Sequence, residues 1–150
     1  MRAHGSGDAR RESRRNVWVD ANVVLRFLTG SPPEMAEQAR LFFSRVGADL
    51  QVRVSPITIA EIVWTLESYY GFDRKRIGEV VSAFCRSPGV LVLEQDAILE
   101  ALADYSAKNV DFADAYLAAQ VIRYGAGVVA TFDEKHFSRP KVQTARPDLV

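Results

Sequence analysis

Apolar residues occur along this chain in two kinds of run. Short, nearly unbroken runs at residues 17–19, 50–54, 90–93 and 127–131 read as strands, and a weaker one follows at 141–144. Between them apolar residues recur every three or four positions, as in Ile77, Val80, Val81 and Phe84 or Ile98, Leu99, Leu102 and Tyr105. That is the period of helices with one buried face. The pattern predicts helices over about 22–28, 34–46, 56–70, 74–86, 96–108 and 112–124. Punctuation agrees: Pro33 and Pro56 suit first helical turns, Asp73 and Asp111 suit caps, and Gly71 and Gly125 suit stops. Thr58 and Glu61 have the spacing of a capping box. Strands alternating with amphipathic helices imply an α/β class, a three-layer α/β/α sandwich around a mostly parallel sheet of four to five strands.

Composition narrows the picture. At 150 residues, 48% of them hydrophobic, the chain suffices for one domain with a substantial core. No apolar run approaches the roughly 18 residues of a membrane span, and the amino terminus lacks an apolar signal core, so no membrane is expected and a cytoplasmic protein is. Cys85 is the sole cysteine, which excludes a disulfide framework and a cysteine-based zinc site and reads as a small buried hydrophobe. The net charge of zero conceals an asymmetry. Residues 1–15 carry five arginines against Asp8 and Glu12, so this stretch is +3 and the remainder −3. Having no apolar period, it reads as a disordered or non-native basic arm ahead of a domain at 16–150.

The informative residues are acids at element boundaries. The run 17–19 stops at Asp20, and the run 127–131 is followed by Asp133. Glu61 falls early in the helix after the second strand, while Asp111 and Asp114 open the helix after residue 110. Strand carboxyl ends and the helix starts beside them form the edge of an α/β sheet where ligands bind. Helix capping accounts for Asp111 without further function. Asp114 is harder to dismiss, sitting among Phe112, Ala113, Ala115, Leu117 and Ala118 on a face suited to close packing. Carboxylates gathered at one edge repel one another, and a cation resolves the conflict. Oxygen ligands with only two histidines in the chain, His4 and His136, favour Mg2+, with Mn2+ possible, over zinc. Such acidic sites serve phosphoryl chemistry.

Taken in order, VDANVVLRFLTG, SPITIAEIVWTL, VDFADAYLAAQV and VVATFDEKHF resemble the four motifs of the PIN domain family, specifically its VapC-type ribonuclease toxins. The resemblance covers about residues 16–145. It implies a PIN-like fold and a magnesium-dependent endoribonuclease acting on single-stranded or loop RNA. It also implies a homodimer and a small antitoxin protein as cognate partner. By position, Asp20 and Asp114 would be the principal metal ligands, Glu61 and Asp133 would complete the catalytic quartet, and Asp111 would be an outer ligand. Asn22 and Thr131 would support the carboxylates by hydrogen bonding. RNA phosphates would meet residues among Arg26, Arg53, Arg74, Lys75, Arg76, Lys108, Lys135 and Arg139. The antitoxin would dock near the early helices, where Leu25, Phe27, Leu28, Leu41, Phe42, Trp64 and Tyr69 crowd.

Two other readings compete. A haloacid-dehalogenase-like phosphatase also places an acid after its first strand but needs a second Asp two positions later, where Asn22 stands. A PIN-like domain without turnover, binding RNA or protein as a scaffold, would show the same fold and no metal-dependent cleavage.

Overall fold

The computed structural model describes residues 14–125, 127–133 and 142–150. Strand β1 (Arg15–Trp18) leads into helices α1 (Ala21–Thr29) and α2 (Pro33–Ser44), and β2 (Leu50–Val54) leads into α3 (Pro56–Ser68) and α4 (Arg74–Cys85). Then come β3 (Val90–Val92), α5 (Gln95–Lys108), α6 (Phe112–Tyr124), β4 (Val128–Ala130), β5 (Gln143–Ala145) and a terminal 3-10 turn. The α/β class expected from the apolar periods is the one the chain adopts, and every strand pairing is parallel. The strands divide, however, between a three-stranded sheet in the order β1, β2, β3 and a two-stranded sheet of β4 and β5. The smaller sheet has its own apolar contact: Val129 packs with Ala118 of α6, and Val121 and Val142 lie against them.

Position in the sheet decides which strands are buried. Leu50, Val52 and Val54 of the central strand β2 are buried, and their partners Val17 and Val92 stand opposite Val52 and Val54. An unbroken apolar run such as 17–19 suits an inner strand buried on both faces, but this run is not so placed. Among the described residues β1 has a sheet neighbour on one side only, so Val17 and Val19 are half-buried and Trp18 is 59% exposed. β1 also begins at Arg15, one residue inside the segment read as an arm; residues 1–13 lie outside the described part.

The helices close over β2 and β3 with Ile59, Ile62, Leu66, Ile77, Ile98, Leu102, Tyr105 and Phe112 fully buried. Each such side chain contributes roughly 1.5–3 kcal/mol relative to exposure. Cys85 is among the buried residues and is a free thiol, as expected. Helix starts follow local chemistry. Asp73 caps α4, its Oδ1 accepting from the Arg76 N–H at 2.7 Å. The capping box expected from Thr58 and Glu61 does not form, because α3 starts three residues earlier, with Ser55 as cap residue and Pro56 at the first helical position. Where α4 crosses α5, Gly78 permits close approach: a Cβ there would stand 2.7 Å from that of Ser106.

Polar contacts lock three helices together. The Arg74 guanidinium donates to the carbonyl oxygens of Tyr105 and Val110 at 3.2 and 2.8 Å and lies 4.5 Å from the centre of the Tyr105 ring. It also pairs with Glu67 of α3 at 3.8 Å, and Glu67 accepts from the Tyr105 hydroxyl at 2.9 Å. No helix among the described residues is long and apolar enough to cross a membrane.

Candidate active site

Asp20 stands where β1 ends and α1 begins. Its backbone is extended, and its Oδ1 accepts the Val23 N–H at 3.2 Å, so it is the cap residue of α1 as well as a strand-end acid. Only one carboxylate oxygen takes part in that bond. Asn22 follows in the first turn of the helix, exposed. Glu61 is exposed on α3, and among the described residues it has no hydrogen-bond or ion-pair partner.

Helices α1 and α3 pack against each other. Between them lies a hollow of about 250 Å3 lined by Asp20, Ala21, Asn22, Leu25, Glu61, Trp64 and Thr65. Two acids from separate segments thus share one solvent-facing concavity. Trp64 and Thr65 join the acids there, though the pattern of acids at element boundaries does not point to them. The signal that finds them is helical spacing, since residues three and four beyond Glu61 lie on the same side of α3.

The remaining acids lie elsewhere on the chain's turns. Asp111 is the exposed cap residue of α6 and makes no side-chain cap bond; Asp114 is half-buried in the first turn of that helix. Small neighbours allow the close packing expected there, with Ala115, Ala118 and Ala119 buried. Past β4, the Thr131 hydroxyl oxygen accepts the Asp133 backbone N–H at 3.0 Å, which fixes the bend carrying that acid. Neither Asp114 nor Asp133 lines the hollow that holds Asp20 and Glu61. Among the described residues no three of His, Cys, Asp or Glu stand together as a group able to hold a metal ion.

The donor chemistry nevertheless fits a small hard cation. Mg2+ is commonly held through one or two carboxylates while it keeps several waters, and Asp20 and Glu61, with the Asn22 amide beside them, offer oxygen only. Zinc would want nitrogen or sulfur ligands, which the hollow lacks.

Several basic residues expected near substrate are engaged. Arg26 donates to the Tyr70 hydroxyl at 3.0 Å, Arg74 is held in the three-helix lock, Arg76 lies 3.9 Å over the Phe72 ring, and Lys108 pairs with Asp104 at 3.1 Å. Lys135, His136 and Arg139 lie outside the described residues. Tyr116, two residues past Asp114, donates to Glu94 at 2.5 Å. Burial, then that bond, raises the phenol's pKa, while the same hydrogen bond lowers that of the Glu94 carboxyl. Glu94 also accepts from Tyr124 at 3.0 Å, so the α6 face next to Asp114 is tied to the end of β3.

A second, apolar groove of about 360 Å3 runs beside the site between β1, α1 and α2, lined by Val17, Trp18, Val23, Met35 and Phe42. Of the apolar residues expected to crowd the early helices, Phe27, Leu41, Trp64 and Tyr69 are exposed, whereas Leu25 is core.

A family model described as PIN domain matches residues 17–142, a span that contains Asp20, Glu61, Asp111, Asp114 and Asp133. No curated protein matches the chain.

Proposed function

Because the chain belongs to the PIN domain family, whose domains are generally metal-dependent nucleases, we propose that it is a cytoplasmic endoribonuclease dependent on Mg2+ or Mn2+. Its further role in this reading is the toxin of a VapC-type toxin–antitoxin pair. The observation that carries the nuclease reading is the convergence of Asp20 and Glu61 on one exposed hollow, with neither acid neutralised by an arginine or lysine among the described residues.

In this reading Asp20 and Glu61 would hold the divalent ion, whose chemistry there would be positive charge against the scissile phosphate and a more acidic water for hydrolysis. Asp20 is oriented from behind by the Val23 N–H, which leaves its second oxygen for the site. Asn22, in the first turn of α1, hydrogen-bonds a carboxylate or a substrate oxygen in this reading. Asp114 and Asp133 complete the catalytic quartet from α6 and from the bend after β4, and Asp111 serves as an outer ligand. Thr131 acts through the turn it stabilises. No Ser, Cys or Lys lines the hollow, and in this reading a water held at the acids is the attacking group.

The antitoxin and a second copy of the chain are the proposed protein partners. The apolar groove along β1, α1 and α2, with Trp18 and Met35 on its rim, supports a partner docked beside the acids.

The test is cleavage of a mixed RNA pool with Mg2+ titrated against EDTA, for wild type and for Asp20→Asn, Glu61→Gln and Asp114→Asn. Loss of at least about 100-fold in rate for each variant, at unchanged melting temperature, is the expected result. Equal activity in all four proteins would remove the site. Arrest of bacterial growth by wild type but not by Asp20→Asn tests the toxin role.

A further inference from the structure

We infer that Trp64 is a nucleobase-stacking residue, so that the hollow takes hold of single-stranded RNA by a base beside the phosphate to be cut. This deepens the nuclease reading and rests on it for the identity of the ligand.

The electrostatics pose the problem. The chain beyond residue 15 is net negative, the hollow is walled by Asp20 and Glu61, and four of the arginines and lysines expected near substrate are already engaged within the fold. A polyanion gains little from such a surface, and phosphate contacts are the usual main source of RNA affinity. A part of RNA that carries no charge is then a useful further source of binding energy. The base is that part, and every base offers a flat face to an aromatic ring.

Trp64 sits where such a ring is useful. It is 40% exposed, it lines the same hollow as the two acids, and it lies one helical turn beyond Glu61. Part of its ring faces the hollow beside the two carboxylates, where a flat partner could cover it. Flanking it, Asn22 and Thr65 supply the amide and hydroxyl that can meet a base edge. A base on Trp64 would place its own backbone phosphate within the acid-lined concavity.

The chain has two tryptophans, Trp18 and Trp64, so the Trp18→Phe protein reports Trp64 alone. Adding a five-nucleotide single-stranded RNA in EDTA, where nothing is cut, is expected to quench its fluorescence. Adenosine, an uncharged nucleoside, should quench it more weakly. By fluorescence anisotropy with labelled RNA, Trp64→Leu should weaken binding about 5- to 150-fold, the range for one lost stacked base, and Trp64→Phe much less. Asp20→Asn should bind as well as wild type or better, since it removes a negative charge. If RNA causes no quenching, or if a folded Trp64→Leu binds as tightly as wild type, the stacking role is overturned even when Mg2+-dependent cleavage is intact. Quenching and weakened binding in a protein that never cleaves would uphold it and sink the nuclease reading instead.

Discussion

Arg74 donates a 2.8 Å hydrogen bond to the carbonyl oxygen of Val110, the residue that introduces Asp111. Asn109, just before it, adopts a left-handed conformation, φ +53, which leaves the corner between α5 and α6 short of regular helical hydrogen bonds. A single guanidinium supplies donors for two of the carbonyls there. Replacing it with methionine keeps the apolar stem and removes the fork. Arg74→Met should lower unfolding free energy in urea by about 2–4 kcal/mol, the loss of charged hydrogen bonds to two carbonyls. Arg74→Lys should recover only part of that, because an ammonium lacks the planar fork. A stability equal to wild type for Arg74→Met would mean that the corner is held by something else.

Asp20 carries two duties that substitutions can separate. As cap residue it satisfies the Val23 N–H, and asparagine does this equally well. Asp20→Ala should therefore cost about 1 kcal/mol of stability, while Asp20→Asn costs almost none. Both should bind Mn2+ far more weakly than wild type in calorimetry. Retained Mn2+ affinity in Asp20→Asn would assign the carboxylate to capping alone.

Gly78 is an exception to ordinary helix propensity. Alanine normally stabilises a helix by up to about 1 kcal/mol over glycine, yet here its Cβ would meet the Ser106 Cβ at 2.7 Å. Gly78→Ala is expected to destabilise by about 1–3 kcal/mol through overpacking. Combining it with Ser106→Gly should reveal a favourable coupling in a double-mutant cycle. Additivity of the two changes would show that the helices simply move apart.

Burial pushes the Cys85 thiol up to about 12 from its ordinary 9.0. Between those values the unfolded chain has released this proton and the native chain has kept it. The unfolded state then binds fewer protons, so stability falls as pH rises through the window and the contribution is complete below pH 9.0. Urea unfolding across alkaline pH should show a shallower decline for Cys85→Val than for wild type. The native thiol should also resist alkylating reagents at pH 8 and react once urea is added; rapid labelling of the native protein would contradict its burial.

Much of this architecture is written locally. β2 occupies residues 50–54 as its apolar pattern requires, and the caps at Asp73 and Gly125 follow from side-chain and backbone chemistry within a few residues. What the pattern cannot encode is the neighbour. Val17 to Val19 are as apolar as a central strand, but burial depends on whether another strand lies alongside, and on one side of β1 none does among the described residues. The same distinction divides the candidate site. Asp20 is legible as a strand-end acid because an apolar run stops there, and Glu61 because an unpartnered acid in an apolar helix needs a reason. That the two share a hollow follows from α1 packing on α3, a contact between distant segments. The capping box at Thr58 and Glu61 failed for a local reason: Ser55 and Pro56 offered a better start three residues earlier.

The lock around Arg74 joins segments that are made at different times during synthesis. Asp20 and Glu61 leave the ribosome well before Tyr105 and Val110, whose carbonyls Arg74 must find. A nascent chain can therefore form the early pair of acids while the corner ahead of Asp111 is still unmade. If the proposed nuclease reading holds, the chain would emerge beside its own messenger with Asp114 and Asp133 still to be folded into place.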